Sequence, residues 1–156
     1  MYRIEPMSIA DFEEVTRLWQ NTEGVGLNEA DSRENLNRFL QRNPGMSFVA
    51  RQGNEIVGAV LCGQDGRRGY LHHLAVATAH RNKGLGKRLI EAACSEVARA
   101  NITRCNIYLF AENEKGAQFW ARHGWTKRDD MVVMQKPLTE AAAQQIQLRA
   151  SEHRRT

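Results

Sequence analysis

A short basic segment rich in glycine lies between a predicted strand and a predicted helix. An apolar run over residues 70–76 predicts the strand, and apolar residues at helical spacing over residues 84–100 predict the helix. Such a turn presents free backbone N–H groups at the positive end of the helix dipole. Glycines at 84 and 86 allow a ligand to approach the backbone closely. The sequence therefore predicts a phosphate or pyrophosphate site, and its segment reads Arg81-Asn82-Lys83-Gly84-Leu85-Gly86.

Two common phosphate-binding motifs do not match this segment. The dinucleotide fingerprint Gly-x-Gly-x-x-Gly would need a glycine where Leu89 stands. A P-loop needs four residues between its glycines and then a Lys-Ser/Thr pair, whereas Lys87 is followed by Arg88. The observed pattern, Arg-x-x-Gly-x-Gly after a Leu-Ala-Val strand, resembles the acetyl-CoA signature of the GNAT superfamily of N-acetyltransferases.

This resemblance implies that acetyl-CoA is the cosubstrate. The sequence shows no Cys/His pairing of the kind that binds zinc, so we expect no metal. In GNAT proteins the pantetheine arm lies between two parallel strands that splay apart, and it bonds to exposed strand backbone. On this chain the resemblance places the arm against Leu74, Ala75 and Val76. It assigns the pyrophosphate to a run of seven residues: Arg81, Asn82, Lys83, Gly84, Leu85, Gly86 and Lys87.

A second block similar to the family runs from Asn113 to Trp125. The resemblance implies that Asn113 contacts the cofactor near its thiol, although Asn is also a good helix N-cap. Gly116 stands where the family often has alanine, and Trp120 stands where most members have the tyrosine that protonates the CoA thiolate. Because indole has no acidic proton near neutral pH, we expect Trp120 to pack in the core and the thiolate to be protonated by another group, such as water.

Three residues are candidate bases. His72 and His73 are adjacent on the predicted strand, so we expect their side chains to face opposite sides of the sheet. In the arylalkylamine N-acetyltransferase branch, histidines occupy the positions of Tyr70 and His72, which favours His72. A neutral imidazole, with an ordinary pKa of ~6.5, can take a proton from an ammonium substrate. His73 and Glu112 remain alternatives, and a strand histidine can also be an ordinary core residue.

The predicted order of elements is β-α-α-β-β-β-α-β-α-β over about residues 2–137. It is similar to the GNAT fold, an α/β (α+β) architecture with a mixed central sheet of about six to seven strands, flanking helices and splayed parallel central strands. We expect an acetyltransferase domain over residues 1–138 and a C-terminal helical extension or tail over residues 139–156. The last two predicted strands cover residues 103–110 and 131–135.

Composition limits the function classes. A chain of 156 residues suits one domain, and no apolar run approaches the ~20 residues of a membrane span. Cys62, Cys94 and Cys105 show no metal spacing, which predicts reduced thiols in a cytoplasmic protein. The formal charge of +4 invites a nucleic-acid partner, but the basic residues are spread along the chain and suit polyanionic CoA equally well.

The sequence therefore predicts an acyltransferase that moves an acetyl group from acetyl-CoA to a primary amine by direct attack in a ternary complex. The partner would be an amine-bearing small molecule or a protein or peptide amine, and a homodimer stays open. Two alternatives remain: a non-catalytic acetyl-CoA-binding module, favoured by Trp120, and a nucleic-acid-binding or interaction protein, favoured only by the basic charge. We expect the acceptor to contact the 22–30 loop, the first two helices and the region 127–131.

Overall fold

Five strands and five α-helices make up the computed structural model, which describes residues 1–155. Thr156, the end of the predicted extension, lies outside the described residues. The strands are β1 Tyr2–Pro6, β2 Phe48–Gln52, β3 Glu55–Gln64, β4 Gly69–Val76 and β5 Cys105–Ile107. The helices are α1 Phe12–Gln20, α2 Arg33–Arg42, α3 Leu85–Arg99, α4 Glu114–Arg122 and α5 Glu140–Arg155.

The strands form one mixed sheet in the order β1-β2-β3-β4-β5. The first four strands pair antiparallel with their neighbours. β5 runs parallel to β4, as expected for two strands joined by a helical crossover. Gly53, in the predicted turn between β2 and β3, has φ 60°, a dihedral that glycine adopts without steric cost.

Helices cover both faces of the sheet. On one face, Trp19 of α1 and Leu36 of α2 pack against Ala59 and Leu61 of β3. On the other face, α3 buries the apolar stripe predicted from its sequence, which consists of Leu85, Leu89, Ala93 and Val97. Full burial of one leucine contributes roughly 1.5–3 kcal/mol, so this stripe fixes the N-terminus of α3 firmly beside the sheet.

The sheet opens between β4 and β5. Only Gly69–Leu71 of β4 pair with β5, against Cys105–Ile107. Beyond Leu71, residues 72–76 of β4 have no partner strand on that side within residues 1–155. The predicted splay of the two parallel strands is therefore present, and it exposes strand backbone next to the start of α3.

The sheet has five strands rather than the predicted six to seven. Residues 131–135 form no strand, and Met131 and Met134 are 61% and 91% exposed. β5 is also shorter than the predicted strand over residues 103–110. Apolar alternation reports only a local preference, and a strand also needs a neighbour to which it can hydrogen-bond. Because β5 is only three residues long, it offers little edge for a further strand.

β4 contains a bulge at His73. Ala59 of β3 pairs with Ala75, and Leu61 pairs with His72, so β4 has one extra residue between these pairs. His73 has φ 55°. The bulge resets the alternation of side chains, and the prediction that His72 and His73 face opposite sides of the sheet is wrong. Both lie on the face covered by α1 and α2.

The C-terminal helix α5 packs against the loop that follows β5. The guanidinium of Arg149 pairs with the carboxylate of Glu112 and lies over the ring of Phe110, 3.6 Å from its centroid. No helix within residues 1–155 is both long and apolar enough to cross a membrane. The proposed boundary at residue 138 stays a prediction.

Candidate functional site

The turn before α3 is built around Gly84. Gly84 is the N-cap of α3 and has φ 77°, and Asn82 also has positive φ, at 62°. A Cβ atom placed on Gly84 would meet nothing within 4 Å, so the backbone dihedral rather than packing requires glycine there. Since the first N–H groups of any helix lack intrahelical acceptors, the open space before Leu85 can hold an anion.

Gly86 has a different role. A Cβ atom on this residue would lie 3.1 Å from Cζ of Phe119 in α4. Glycine thus lets α4 approach the first turn of α3. Lys83 and Lys87, by contrast, are exposed around the turn and add positive charge to the dipole of the helix.

Arg81 joins the turn to two other parts of the molecule. Its Nε donates to the carbonyl oxygen of Val76 at 2.9 Å, and its Nη1 donates to Oε1 of Glu23 at 2.7 Å. The hydrogen bond from Arg81 holds the pKa of Glu23 below its usual value. Arg81 is therefore already bound by protein groups, and its direct contact with a pyrophosphate stays a prediction.

The free backbone of β4 lies next to this turn. Leu74 and Val76 direct their side chains into the core under α3, while Ala75 packs on the α1 and α2 face. Their side chains are thus held in place while one edge of the backbone pairs with no other strand. In residues 72–76, side chains reach two carbonyl oxygens: that of Val76 accepts from Arg81, and that of His73 accepts from the indole N–H of Trp19. An extended ligand with amide groups can hydrogen-bond to such an edge as an added strand would.

Asn113 is the N-cap of α4. Its Oδ1 accepts the N–H of Gly116 at 2.9 Å. A Cβ atom on Gly116 would lie 2.5 Å from Nδ2 of Asn113, which explains glycine at a position where alanine was expected. Gly24 also approaches Asn113, because its Cβ would lie 2.8 Å from the same nitrogen. The capping role is confirmed, and the contact with a cofactor stays a prediction.

His72 lies where β4 and β5 separate. The centroid of its ring lies 6.3 Å from those of Tyr70 and Tyr108 and 6.2 Å from that of Phe39. Within residues 1–155 its ring nitrogens make no hydrogen bond, so they are available to a substrate. Burial lowers the pKa of His72 below 6.5, the nearby His73 lowers it further, and Asp31 partly opposes them. The lowered pKa favours the neutral imidazole, which is the form that a general base needs.

The other two candidate bases are engaged elsewhere. Nε2 of His73 lies 2.8 Å from Oδ1 of Asp31. Glu112 is exposed, pairs with Arg149 and lies 3.4 Å from Nδ1 of His153. A hydrogen bond from its own backbone and the charge of Arg149 lower the pKa of Glu112, which makes its carboxylate a weaker base. The geometry favours His72, although all three assignments stay predictions.

Cys62 does not have the environment of a nucleophile. Cys62 is fully buried, and burial raises the pKa of its thiol to about 12. Cys94 and Cys105 are partly buried in the same core cluster. Because the thiolate is the reactive form, Cys62 is unsuited to carry an acyl group. The direct transfer stays a prediction.

Trp120 lies in the core, as its indole chemistry led us to expect. It is 8% exposed, and its ring lies 4.8 Å from Trp125 and 5.7 Å from Phe119 between centroids. These contacts support a packing role.

We therefore expect Trp120→Phe to bind acetyl-CoA and turn over nearly as well as the parent, with a lower unfolding temperature because the smaller ring leaves a cavity. Calorimetry measures the affinity for acetyl-CoA and the unfolding temperature, and steady-state kinetics measures turnover. A collapse of turnover with folding and cofactor affinity intact would show instead that the indole N–H takes part in the chemistry.

Comparison with known proteins decides the family. The sequence profile of the acetyltransferase (GNAT) family matches residues 12–125, a stretch that contains the turn, the open edge of β4 and Asn113. The chain belongs to this family. The GNAT chain is 25% identical to an acetyltransferase of Sodalis glossinidius (strain morsitans) over 130 residues, which cover 83% of this chain and 91% of that protein.

Solved GNAT structures share the fold. The PaiA N-acetyltransferase of Thermoplasma acidophilum, crystallised with coenzyme A, matches 83% of this GNAT chain and 92% of its own with TM-score 0.73 and 19% identity. The Ard1 protein of Thermoplasma volcanium matches 90% of each chain with TM-score 0.72 and 17% identity. At these identities the likeness shows the fold alone.

Sequence reasoning missed several contacts of the site. It did not pair Asp31 with His73, Trp19 with the carbonyl of His73, or Glu23 with Arg81. These partners lie 42, 54 and 58 residues apart along the chain. No local pattern reports such a pairing, and the carboxylates of Glu23 and Asp31 look like ordinary loop residues in sequence.

Proposed function

We propose that this GNAT protein transfers an acetyl group from acetyl-CoA to a primary amine. The observation that carries the proposal is the adjacency of two features: the open turn at Gly84 and the unpaired backbone of residues 72–76. CoA combines a pyrophosphate with an extended arm that contains amide groups. An anion-binding turn beside a free strand edge fits both parts of such a molecule.

Each part of the site has one task in this proposal. Backbone N–H groups of residues 84–87, together with Lys83 and Lys87, hold the pyrophosphate, and the edge of residues 74–76 holds the arm. Asn113 lies at the thiol end. Acetyl-CoA supplies the thioester whose acetyl group is transferred. A backbone N–H of Leu74 or Val76 donates to the thioester carbonyl oxygen, where negative charge develops.

His72 removes the proton that the amine must lose. A ring nitrogen accepts this proton, directly or through a water molecule, as the amine nitrogen bonds to the carbonyl carbon and the carbon–sulfur bond breaks. The departing thiolate takes a proton from solvent, because Trp120 is a donor without an acidic proton. No covalent link to the protein is needed.

The acceptor is a primary amine on a small molecule or on a protein or peptide. A screen of amines, amino acids and peptide N-termini with acetyl-CoA, read by mass spectrometry of the product, tests the proposal. An N-acetylated product supports it. Binding of acetyl-CoA without turnover of any amine would favour the non-catalytic binding module, for which the buried Trp120 is the specific observation. Failure to bind acetyl-CoA would reject both.

The lowered pKa of His72 predicts the pH dependence. Because burial favours the neutral imidazole, the base form persists below the ordinary pKa of 6.5. We expect kcat/KM for the acceptor to fall on the acid side with an inflection below pH 6.5, and we expect this inflection to be absent in His72→Ala. An inflection above 6.5 in the parent, measured with an acceptor whose own ionisation is known, would contradict the assignment.

A further inference from the structure

Asp31 and His73 form a half-buried pair that joins the loop before α2 to the middle of β4. Oδ1 of Asp31 lies 2.8 Å from Nε2 of His73, and the two side chains are 12% and 18% exposed. The indole of Trp19 packs against the imidazole with 5.1 Å between ring centroids. Because the pair is shielded from water, its hydrogen bond is stronger than that of a surface pair.

The second carboxylate oxygen of Asp31 holds the loop. Oδ2 accepts the backbone N–H of Asn28 at 3.0 Å, and Oδ1 of Asn28 accepts the N–H of Ala30 at 2.9 Å. The same carboxylate therefore closes the end of the 22–30 loop and contacts β4. This loop is also the one in which Gly24 approaches Asn113 and Glu23 pairs with Arg81.

Asp31 contacts His73, the residue of β4 whose backbone is strained. A non-glycine residue at φ 55° occupies the left-handed region at a cost of about 1–3 kcal/mol. Two groups hold His73 there: the carboxylate of Asp31 at its ring, and the indole N–H of Trp19, which donates to its carbonyl oxygen at 2.7 Å. The bulge at His73 in turn brings the ring of His73 onto the face that His72 shares with Tyr70 by ordinary alternation, with 6.4 Å between the two imidazole centroids.

We propose that Asp31 is a positioning residue for acetyl transfer: by holding the imidazole of His73 it maintains the bulge that directly follows His72, and so keeps the His72 backbone and the neighbouring His73 ring in place on the open side of the sheet. The inference rests on the proposed function in its use of His72 as the base. Asp31 itself contacts no reacting atom. Its effect on the position of His72 is transmitted through one hydrogen bond and one backbone dihedral, and its charge acts on the pKa of His72 directly.

The charges around His72 predict how its titration changes when either Asp31 or His73 is replaced. The titratable groups that face His72 are His73 and Tyr70 on β4, Tyr108 after β5, and Asp31 from the loop, while α2 contributes the uncharged Phe39. Burial lowers the pKa of His72, His73 lowers it further, and Asp31 raises it. Loss of the Asp31 charge and loss of the His73 ring should therefore move the titration of His72 in opposite directions.

Two variants alter the contact between Asp31 and His73 and are chosen to leave the fold intact. Asp31→Asn keeps the shape of the side chain and removes its charge. His73→Asn keeps a residue that tolerates positive φ but is too short to reach Asp31. Asp65→Asn, an exposed carboxylate in the turn before β4, is the control. NMR titration of the His72 ring protons reads the site whether or not an acceptor is known, and calorimetry reads the affinity for acetyl-CoA.

We expect the His72 titration to move to lower pH in Asp31→Asn and to higher pH in His73→Asn, and to stay unchanged in Asp65→Asn. With a known acceptor, kcat should fall on the order of 10²-fold in the first two variants, as for a misplaced catalytic group, while affinity for acetyl-CoA stays within about twofold. An unchanged titration and an unchanged kcat in both folded variants would overturn the inference. So would a parallel loss of acetyl-CoA affinity, which would indicate a general structural defect. A parent that acetylates no amine would count against the proposed function alone, since the titration shifts do not depend on turnover.

Discussion

Gly84→Asp is expected to abolish measurable binding of acetyl-CoA. The substitution places a carboxylate in the open space before α3, where the pyrophosphate is proposed to lie. Like charges brought together in a binding site cost several kcal/mol, so we expect a loss of affinity on the order of 10²-fold or more. Replacing glycine at φ 77° introduces backbone strain, but Asp is among the residues that adopt positive φ most readily and its carboxylate complements the helix dipole, so we expect a folded variant. Isothermal calorimetry measures the affinity directly.

Two controls isolate the effect of the charge. Gly84→Asn introduces a neutral side chain of the same size that tolerates positive φ, and it should lose much less affinity. Gly66→Asp makes the same change at another glycine with positive φ, 89°, and open surroundings. Gly66 lies in the turn before β4, which is not part of the proposed cofactor site. Its variant should therefore bind acetyl-CoA like the parent. Equal affinity in Gly84→Asp and the parent would refute the pyrophosphate site.

His72→Ala is expected to lower kcat on the order of 10²–10⁴-fold, the usual loss on removal of a general base. The physical reason is that His72 has free ring nitrogens and a pKa lowered by burial, at the place where β4 and β5 part. Affinity for acetyl-CoA should stay near that of the parent, because the cofactor is proposed to contact the backbone of β4 and not the His72 side chain.

The pH profile distinguishes the two histidines. In His72→Ala the acid limb of kcat/KM should vanish. In His73→Asn the limb should remain and move to higher pH, because His73 lowers the pKa of its neighbour and is not itself the base. If His72→Ala keeps both the turnover and the pH profile of the parent, the base lies elsewhere.

Much of the fold could be predicted from the sequence because its determinants are local. The apolar stripe of α3 repeats at helical spacing, Gly53 and Asn54 mark the hairpin between β2 and β3, and Asn113 caps α4. Each of these signals depends on residues within a few positions of one another. The open turn at Gly84 is of the same kind, since its glycine is required by a backbone dihedral.

The bulge at His73 and the short sheet could not be predicted in this way. A bulge depends on the register between β3 and β4 and on support from Trp19 and Asp31, which are distant in sequence. The segment 131–135 has the composition of a strand, yet whether it pairs depends on the length of edge that β5 offers. Both errors come from pairing between segments, which local patterns do not report.

The most direct test of the central claim is an NMR titration of the backbone amides with acetyl-CoA. The claim is that one cofactor spans the turn before α3 and the unpaired edge of β4. Amides of residues 72–76 and 82–87 should therefore shift together, with one dissociation constant, while those of Gly66 and its neighbours in the turn before β4 stay unchanged. Shifts confined to other parts of the chain, or no shifts at saturating acetyl-CoA, would contradict it.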